Sequence, residues 1–350
     1  MLDDESAGEA EGASDAAVVP SGPAAVPIEL TAESPLETPY EKRDGKVIEG
    51  KDGWLFLAND RNRVLDQHAG DRVFQRPTLR RWQLVLENRT GWATGLGSRY
   101  VFVVPPNAHA VFPEHLPDSV PSAQRRPVHQ LMQTLASSDS FAKVLYPVER
   151  MHRNKQDLLP YTPTDSHWTA FGAFLAYEEI ADELGDALPR RIAREDVLFS
   201  ETEVLGDLGK KVDPVRRGPT VTSVLREPKA RITGDNRVRN TGRIIRYVCP
   251  AAPKSCCVVF GDSFCYALLR YLAESFRRLV FVHFPTFDHD IVREVRPNVV
   301  ITSLNERFLL AVPDDWQPET ARAVALRRLD AGDVLSPATI RALTVKLNWP

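Results

Sequence analysis

The sequence predicts an α/β fold: a mostly parallel central sheet with helices on both faces, a three-layer α/β/α sandwich. The first observation is the rhythm after residue 255. Strands expected at 256–260, 279–284 and 298–304 alternate with helices expected at 264–277 and 288–295. The second is that the strand segments are apolar at successive positions, as in "CCVVF", which suits strands buried on both faces. The third is an earlier unit of the same kind. An amphipathic stretch over about 79–96 leads into the apolar run Tyr100–Val104, which Pro105 and Pro106 end.

The chain has 350 residues, 43% hydrophobic and 26% charged, which suits a globular protein of one large or two smaller domains. Residues 1–39 are expected to be a disordered acidic tail. They are rich in Ala, Gly, Pro, Ser and Glu and offer too little apolar surface to offset chain entropy. Ten Asp or Glu and no Lys or Arg lie in residues 1–41, which leaves 44 basic against 37 acidic residues in the remainder. This start is acidic and has no apolar h-region, so no signal peptide is expected in it. No run reaches the roughly 18 apolar residues of a membrane span.

Residues 40–350 are expected to form the folded domain. "KVIEGKDGWLFLAND" reads as a hairpin, with strands Val47–Glu49 and Trp54–Leu57 joined at Asp52-Gly53. Further helices are expected at 123–137, after His167 up to Gly185, and at 319–330, with a strand near 143–146. Residues from about 200 to 250 break the rhythm and read as a polar, basic insertion. Within 210–246 there are eleven Lys or Arg against three acids, which fits either a rim for an anionic sugar or phosphate or a solvated excursion. Aromatic residues are scarce there, so nucleic-acid binding by base stacking is not expected. Cys249, Cys256, Cys257 and Cys265 lack zinc-ligand spacing and read as small buried side chains, so no metal or cofactor is expected.

Two short stretches carry chemistry. In "CCVVFGDSFCYALL", Ser263 follows a strand and opens a helix, where free N–H groups and the helix dipole favour a developing oxyanion. Taken alone, Ser263 reads first as a helix cap. In "YTPTDSHWTAFGAF", Asp165 and His167 stand two apart before a helix. A carboxylate at that spacing can hold one imidazole nitrogen protonated and leave the other free to take a serine proton. The alternative is a capping acid beside a surface histidine. Together the stretches supply a nucleophile, a base and an orienting acid.

The segments "GKDGWLF" (50–56), "DSHW" followed by "GA" (165–168, 172–173) and "FGDSF" (260–264) resemble the AlgX/AlgJ group of SGNH-hydrolase-like polysaccharide O-acetyltransferases. "VVPPNAHAVFPEHLP", "VLGDLGKK" and "PNVVITSLNERFL" are similar more loosely. The resemblance implies an SGNH-like fold, with Ser263 as nucleophile, His167 as base and Asp165 as its partner. It implies transfer of acetyl through Ser263 onto a glycan hydroxyl, with an acetyl donor that a membrane-bound acyltransferase would supply. It also implies a periplasmic or other extracytoplasmic setting, although the acidic start leaves a cytoplasmic one open. A carbohydrate acetylesterase and a non-catalytic glycan-binding scaffold are the alternative readings. Asn107, His109, Asn305 and Arg307 follow strand ends and are candidates for oxyanion or substrate binding.

Overall fold

The computed structural model describes residues 46–58, 60–138, 140–316, 319–334 and 347. The chain divides into Met1–Lys42, outside the described residues, and Arg43–Pro350, which carries every element below. The expected acidic tail therefore lies outside the described residues.

The chain opens with β1 (Val47–Glu49), β2 (Leu55–Leu57), α1 (Val64–Ala69), α2 (Arg76–Gly95) and β3 (Arg99–Val103). It continues through α3 (Ala108–Val111), α4 (Pro127–Ala136), β4 (Val144–Leu145), α5 (Val148–Asn154) and α6 (Ala170–Leu184). Four strands follow: β5 (Val197–Val204), β6 (Gly218–Leu225), β7 (Arg231–Asp235) and β8 (Ile244–Val248). The last segment is β9 (Cys256–Gly261), α7 (Cys265–Ser275), β10 (Arg278–His283), α8 (His289–Val295), β11 (Val299–Ser303) and α9 (Ala321–Asp330).

Among the described residues the main sheet has seven strands in the order β4-β3-β11-β9-β10-β8-β7. The pairs from β4 through β10 are parallel, and β8 and β7 complete one edge antiparallel. The apolar runs are the central strands because both their faces are covered. Cys257 and Val259 of β9 face a core shared with Leu268, Leu269 and Leu272 of α7 and with α6. Cys256, Val258 and Phe260 face the opposite core, shared with Ile291, Val292 and Val295 of α8 and Val324 of α9. That two-residue alternation is the pleat, and it explains why successive positions are all apolar. The four cysteines are buried with free thiols. The β1–β2 hairpin forms its own two-stranded sheet, and the turn between the strands takes left-handed backbone at Asp52 (φ 53°) and Gly53 (φ 79°).

Residues 200–250 differ from the single basic insertion expected. β5 and β6 pair over eight residues as a separate hairpin, while β7 and β8 belong to the main sheet. These strands escape a periodicity reading because most of β5 and the edge strand β7 face solvent, with Leu198 and Ile232 exposed, so their apolar residues do not mark out a buried face. Several cations of this stretch are paired: Arg216 with Glu49, Arg243 with Asp235, Lys229 with Glu227 and Lys211 with Asp207.

Candidate active site

β9 delivers Ser263 to the carboxyl-terminal edge of the sheet, where open α/β folds place ligands. Gly261 is required there by close approach: a Cβ would lie 2.4 Å from Cys265 Sγ and 3.1 Å from the Ser303 carbonyl oxygen. Asp262 holds the turn at both ends, accepting from the Phe264 N–H (2.9 Å) and from the Asn305 N–H across the sheet (2.8 Å). Burial raises its carboxyl against the pull of those two bonds. The Ser263 hydroxyl does not cap α7. It donates instead to His167 Nε2 at 2.8 Å.

The second half of the site is the turn before α6. Thr169 is the helix cap, accepting from Gly172 N–H, which leaves Asp165 and His167 free of that role. Asp165 Oδ1 accepts from the His167 backbone N–H and from the Nδ1 side of its ring, both at 2.9 Å. Asp165 Oδ2 accepts from the Asp207 N–H at 2.9 Å. Burial pushes the Asp165 carboxyl up, but the ring and backbone bonds of His167 and the Asp207 N–H outweigh it and hold the pKa at about 2. The ring thereby carries its proton on Nδ1 and turns the Nε2 lone pair to Ser263. The indole N–H of Trp168 donates to the Phe264 carbonyl (2.9 Å), which ties the two motifs together, and the Phe264 ring lies 4.9 Å from the His167 ring.

Ser263, His167 and Asp165 thus converge as expected from the sequence. The other candidates divide. Asn107 reaches the crest of the sheet after β3, and its backbone N–H is fixed by Glu306 (3.0 Å). Among the described residues its side-chain amide and the Ser263 N–H have no hydrogen-bond partner, so both remain able to donate to an oxyanion. Arg307 stacks on Phe264 with 5.3 Å from its guanidinium carbon to the ring centroid. It is nearly buried, and among the described residues its guanidinium makes no hydrogen bond or ion pair.

Asn305 and His109 require correction. The Asn305 side chain donates to the Pro105 and Pro106 carbonyls (3.0 and 3.4 Å) and accepts from Arg307 N–H, so it clamps the ends of β3 and β11 and has no donor left for substrate. His109 is interior. Its Nε2–H donates to the Leu57 carbonyl (2.9 Å), its ring lies 5.0 Å from Phe56, and burial drives its pKa down to about 3.

Asp207 was missed by sequence reasoning. Its carboxylate accepts from Ser166 N–H (2.6 Å) and Ser166 Oγ–H (3.1 Å). The signal was "LGDLG", an acid flanked by two glycines in an otherwise polar stretch. A Cβ at Gly206 would lie 2.0 Å from the Thr164 carbonyl oxygen, so this loop lies directly on the 162–168 turn. The Leu208 and Gly209 N–H groups both donate to that carbonyl (3.1 and 2.9 Å). Donor atoms of Asp165, His167 and Asp207 lie within 4.8 Å of one another, the spacing of a metal site, but these groups are already engaged in the bonds above. A cavity of about 630 Å³ adjoins the same turn, lined by Trp54, His115, Thr164, Arg216, Arg217 and Pro219 among others.

A hydroxyl, an imidazole and a carboxylate in hydrogen-bonded series at this edge make a site able to activate an oxygen nucleophile, on an SGNH-hydrolase-like fold. Residues 47–274 match the family described as SGNH hydrolase-like domain, acetyltransferase AlgX, and the chain belongs to that family. The probable alginate O-acetylase AlgJ of Pseudomonas syringae pv. tomato is 26% identical over 152 residues, 43% of this chain and 36% of that protein. The chain therefore spans about a third of that relative's length. Among solved structures, Bacillus cereus PatB1 superposes with a TM-score of 0.58 at 14% identity, covering 77% of this chain and 98% of that one. The same protein with a sulfonyl adduct gives 0.54 at 15% identity, over 75% and 95%. The O-acetyltransferase domain of Pseudomonas putida AlgJ gives 0.50 at 16%, over 81% and 99%. Among the described residues no helix is long and apolar enough to cross a membrane.

Proposed function

We propose that the protein is a serine-dependent O-acetyltransferase that moves acetyl from an ester donor to a hydroxyl of a bacterial polysaccharide. The observation that carries this is the chain Ser263 Oγ–H to His167 Nε2, with Nδ1–H to Asp165, in a member of an acetyltransferase family. Ser263 Oγ attacks the acetyl carbon of the donor while His167 Nε2 takes the hydroxyl proton. The tetrahedral oxyanion is met by the Ser263 N–H and Asn107 amide, with the Arg307 cation close behind Phe264. The donor's oxygen leaves with the proton from His167, and acetyl remains on Ser263. An acceptor sugar hydroxyl then gives its proton to His167 and attacks the same carbon, and Ser263 regains the proton as it leaves.

The polysaccharide acceptor is supported by the relative named as an alginate O-acetylase. The family likewise suggests a periplasmic setting and a membrane-bound acyltransferase as the source of acetyl. The cavity lined by Trp54, Thr164 and Arg216 is the candidate path for the acceptor chain toward the 165–168 turn.

The test is acetyl release from an activated acetyl ester, with and without oligosaccharides, alongside Ser263→Ala. Release should vanish in Ser263→Ala, and acetylated oligosaccharide should appear with the native chain. Equal release in both conditions with no acetylated sugar would make the protein an esterase. Undiminished release by Ser263→Ala would remove the serine mechanism altogether. A sulfonyl fluoride should label Ser263, and His167→Ala should slow that labelling.

A further inference from the structure

We propose that Asp207 is a second acid of the site: a positioning residue that holds the 165–168 turn and sets a second negative charge beside His167. The proposal rests on the triad reading above and adds a residue that reading does not use. Three observations carry it.

The first is that Asp207 serves the turn through both its backbone and its side chain. Its N–H holds Asp165 Oδ2 (2.9 Å), while its carboxylate takes the N–H and the hydroxyl of Ser166, the residue between Asp165 and His167. The second is that the surrounding loop is built for contact. Glycine at 206 lets the backbone reach Thr164, and two further N–H groups of the loop close on the Thr164 carbonyl. A carboxylate delivered only by sheet packing would not need this stitching.

The third is distance. A carboxylate oxygen of Asp207 lies within 4.8 Å of both a His167 ring nitrogen and an Asp165 oxygen. Two like charges this close repel, and the repulsion is relieved when the imidazole, within 4.8 Å of both, takes a proton. The charged form of His167 appears in each half of the proposed reaction, so Asp207 favours it both when Ser263 gives up its proton and when the acceptor hydroxyl does. The other charged groups facing His167 are few. Asp165 bonds its ring, and Lys211 Nζ stands 3.4 Å behind Asp207. Asp262 and Arg307, of opposite sign, lie toward the Phe264 side.

The test is the pH dependence of kcat/KM for an activated acetyl ester at low ionic strength, where such interactions are least screened. Asp207→Asn keeps an acceptor for Ser166 N–H and removes the charge. Its acid limb, where His167 loses the proton that blocks it as a base, should move to lower pH by about half a unit. Asp207→Ala should show the same displacement with a larger fall in kcat, because the turn also loses its anchor. Ser166→Ala, which cuts one anchor and leaves the charge, should lower kcat with the limb in place.

A profile of Asp207→Asn that superimposes on the native one overturns the electrostatic role. If Asp207→Asn does not fold, Lys211→Met probes the same charge from its other side. Removing that cation should move the limb to higher pH, and an unmoved limb overturns the proposal. Loss of activity in Ser263→Ala with no displacement in the Asp207 variants rejects this inference alone. Retained activity in Ser263→Ala rejects the triad reading beneath it.

Discussion

Replacing Asp165 by Asn isolates the charge that steadies His167. The native carboxylate has two oxygens for three N–H donors: the ring and backbone of His167 on one, Asp207 on the other. At the 2.9 Å separation of ring nitrogen and oxygen, an effective dielectric of about 40, suited to a half-exposed pair, gives about 3 kcal/mol of attraction for the imidazolium. The amide keeps only one acceptor oxygen, so its NH2 must face either His167 or the Asp207 N–H. That lost bond adds about 1–3 kcal/mol. Together the two effects, about 4–6 kcal/mol, predict a fall in kcat/KM of between about a thousandfold and a few ten-thousandfold. Initial rates of acetyl-ester cleavage would measure it, with Ser263→Ala as background and a melting curve to show that the variant is folded. A folded Asp165→Asn that loses less than tenfold would refute the reasoning, since His167 would then need no anionic partner.

Gly206→Ala should place its Cβ against the Thr164 carbonyl, costing about 1–3 kcal/mol of stability and more than tenfold in activity. Melting temperature and rate together test it, and an unperturbed variant would mean that the two loops do not touch. Arg307→Gln should lower kcat/KM about tenfold and leave the melting temperature unchanged or raised, because the cation it removes has no ionic partner among the described residues. Lost stability with retained activity would make Arg307 a packing residue only. His109 has its folded pKa depressed to about 3 by burial, so its imidazole stays neutral where the unfolded chain's takes a proton. Its contribution is therefore full above about pH 6.5 and is lost as pH falls below that, at about 1.4 kcal/mol per unit. Urea melts at pH 7 and 5 should show a steeper decline for the native chain than for His109→Gln, and equal slopes would contradict the assignment.

The central strands and their helices were legible because burial on both faces writes itself into composition. β9, β10 and β11 are apolar at successive positions, and little else accounts for "CCVVF" or "NVVITS". The short helices α1, α3 and α5 span only four to seven residues, too few for a period of 3.6 to repeat convincingly. β5 through β8 were hidden for the opposite reason. Apolar residues such as Leu198, Val224 and Ile232 stand exposed on them, so they mark out no buried face, and membership of the sheet is decided by main-chain pairing, which leaves no trace in side-chain chemistry.

The sequence by itself determined the chemical types of the site and the local frames that hold them: a serine between a strand and a helix, and an acid two residues before a histidine. Those are short-range facts, set by turn geometry and by which residues can follow which. Only the tertiary structure decided that Ser263 meets His167, 96 residues away in the chain. It also decided that the Asn305 amide and His109 Nε2 bond to backbone, and that Asp207 belongs to the turn around Asp165. Hydrogen-bond partnership depends on distances of about 3 Å between segments far apart in the chain. Local sequence specifies which groups can donate and accept, and the packing of the sheet and its loops specifies which of them meet.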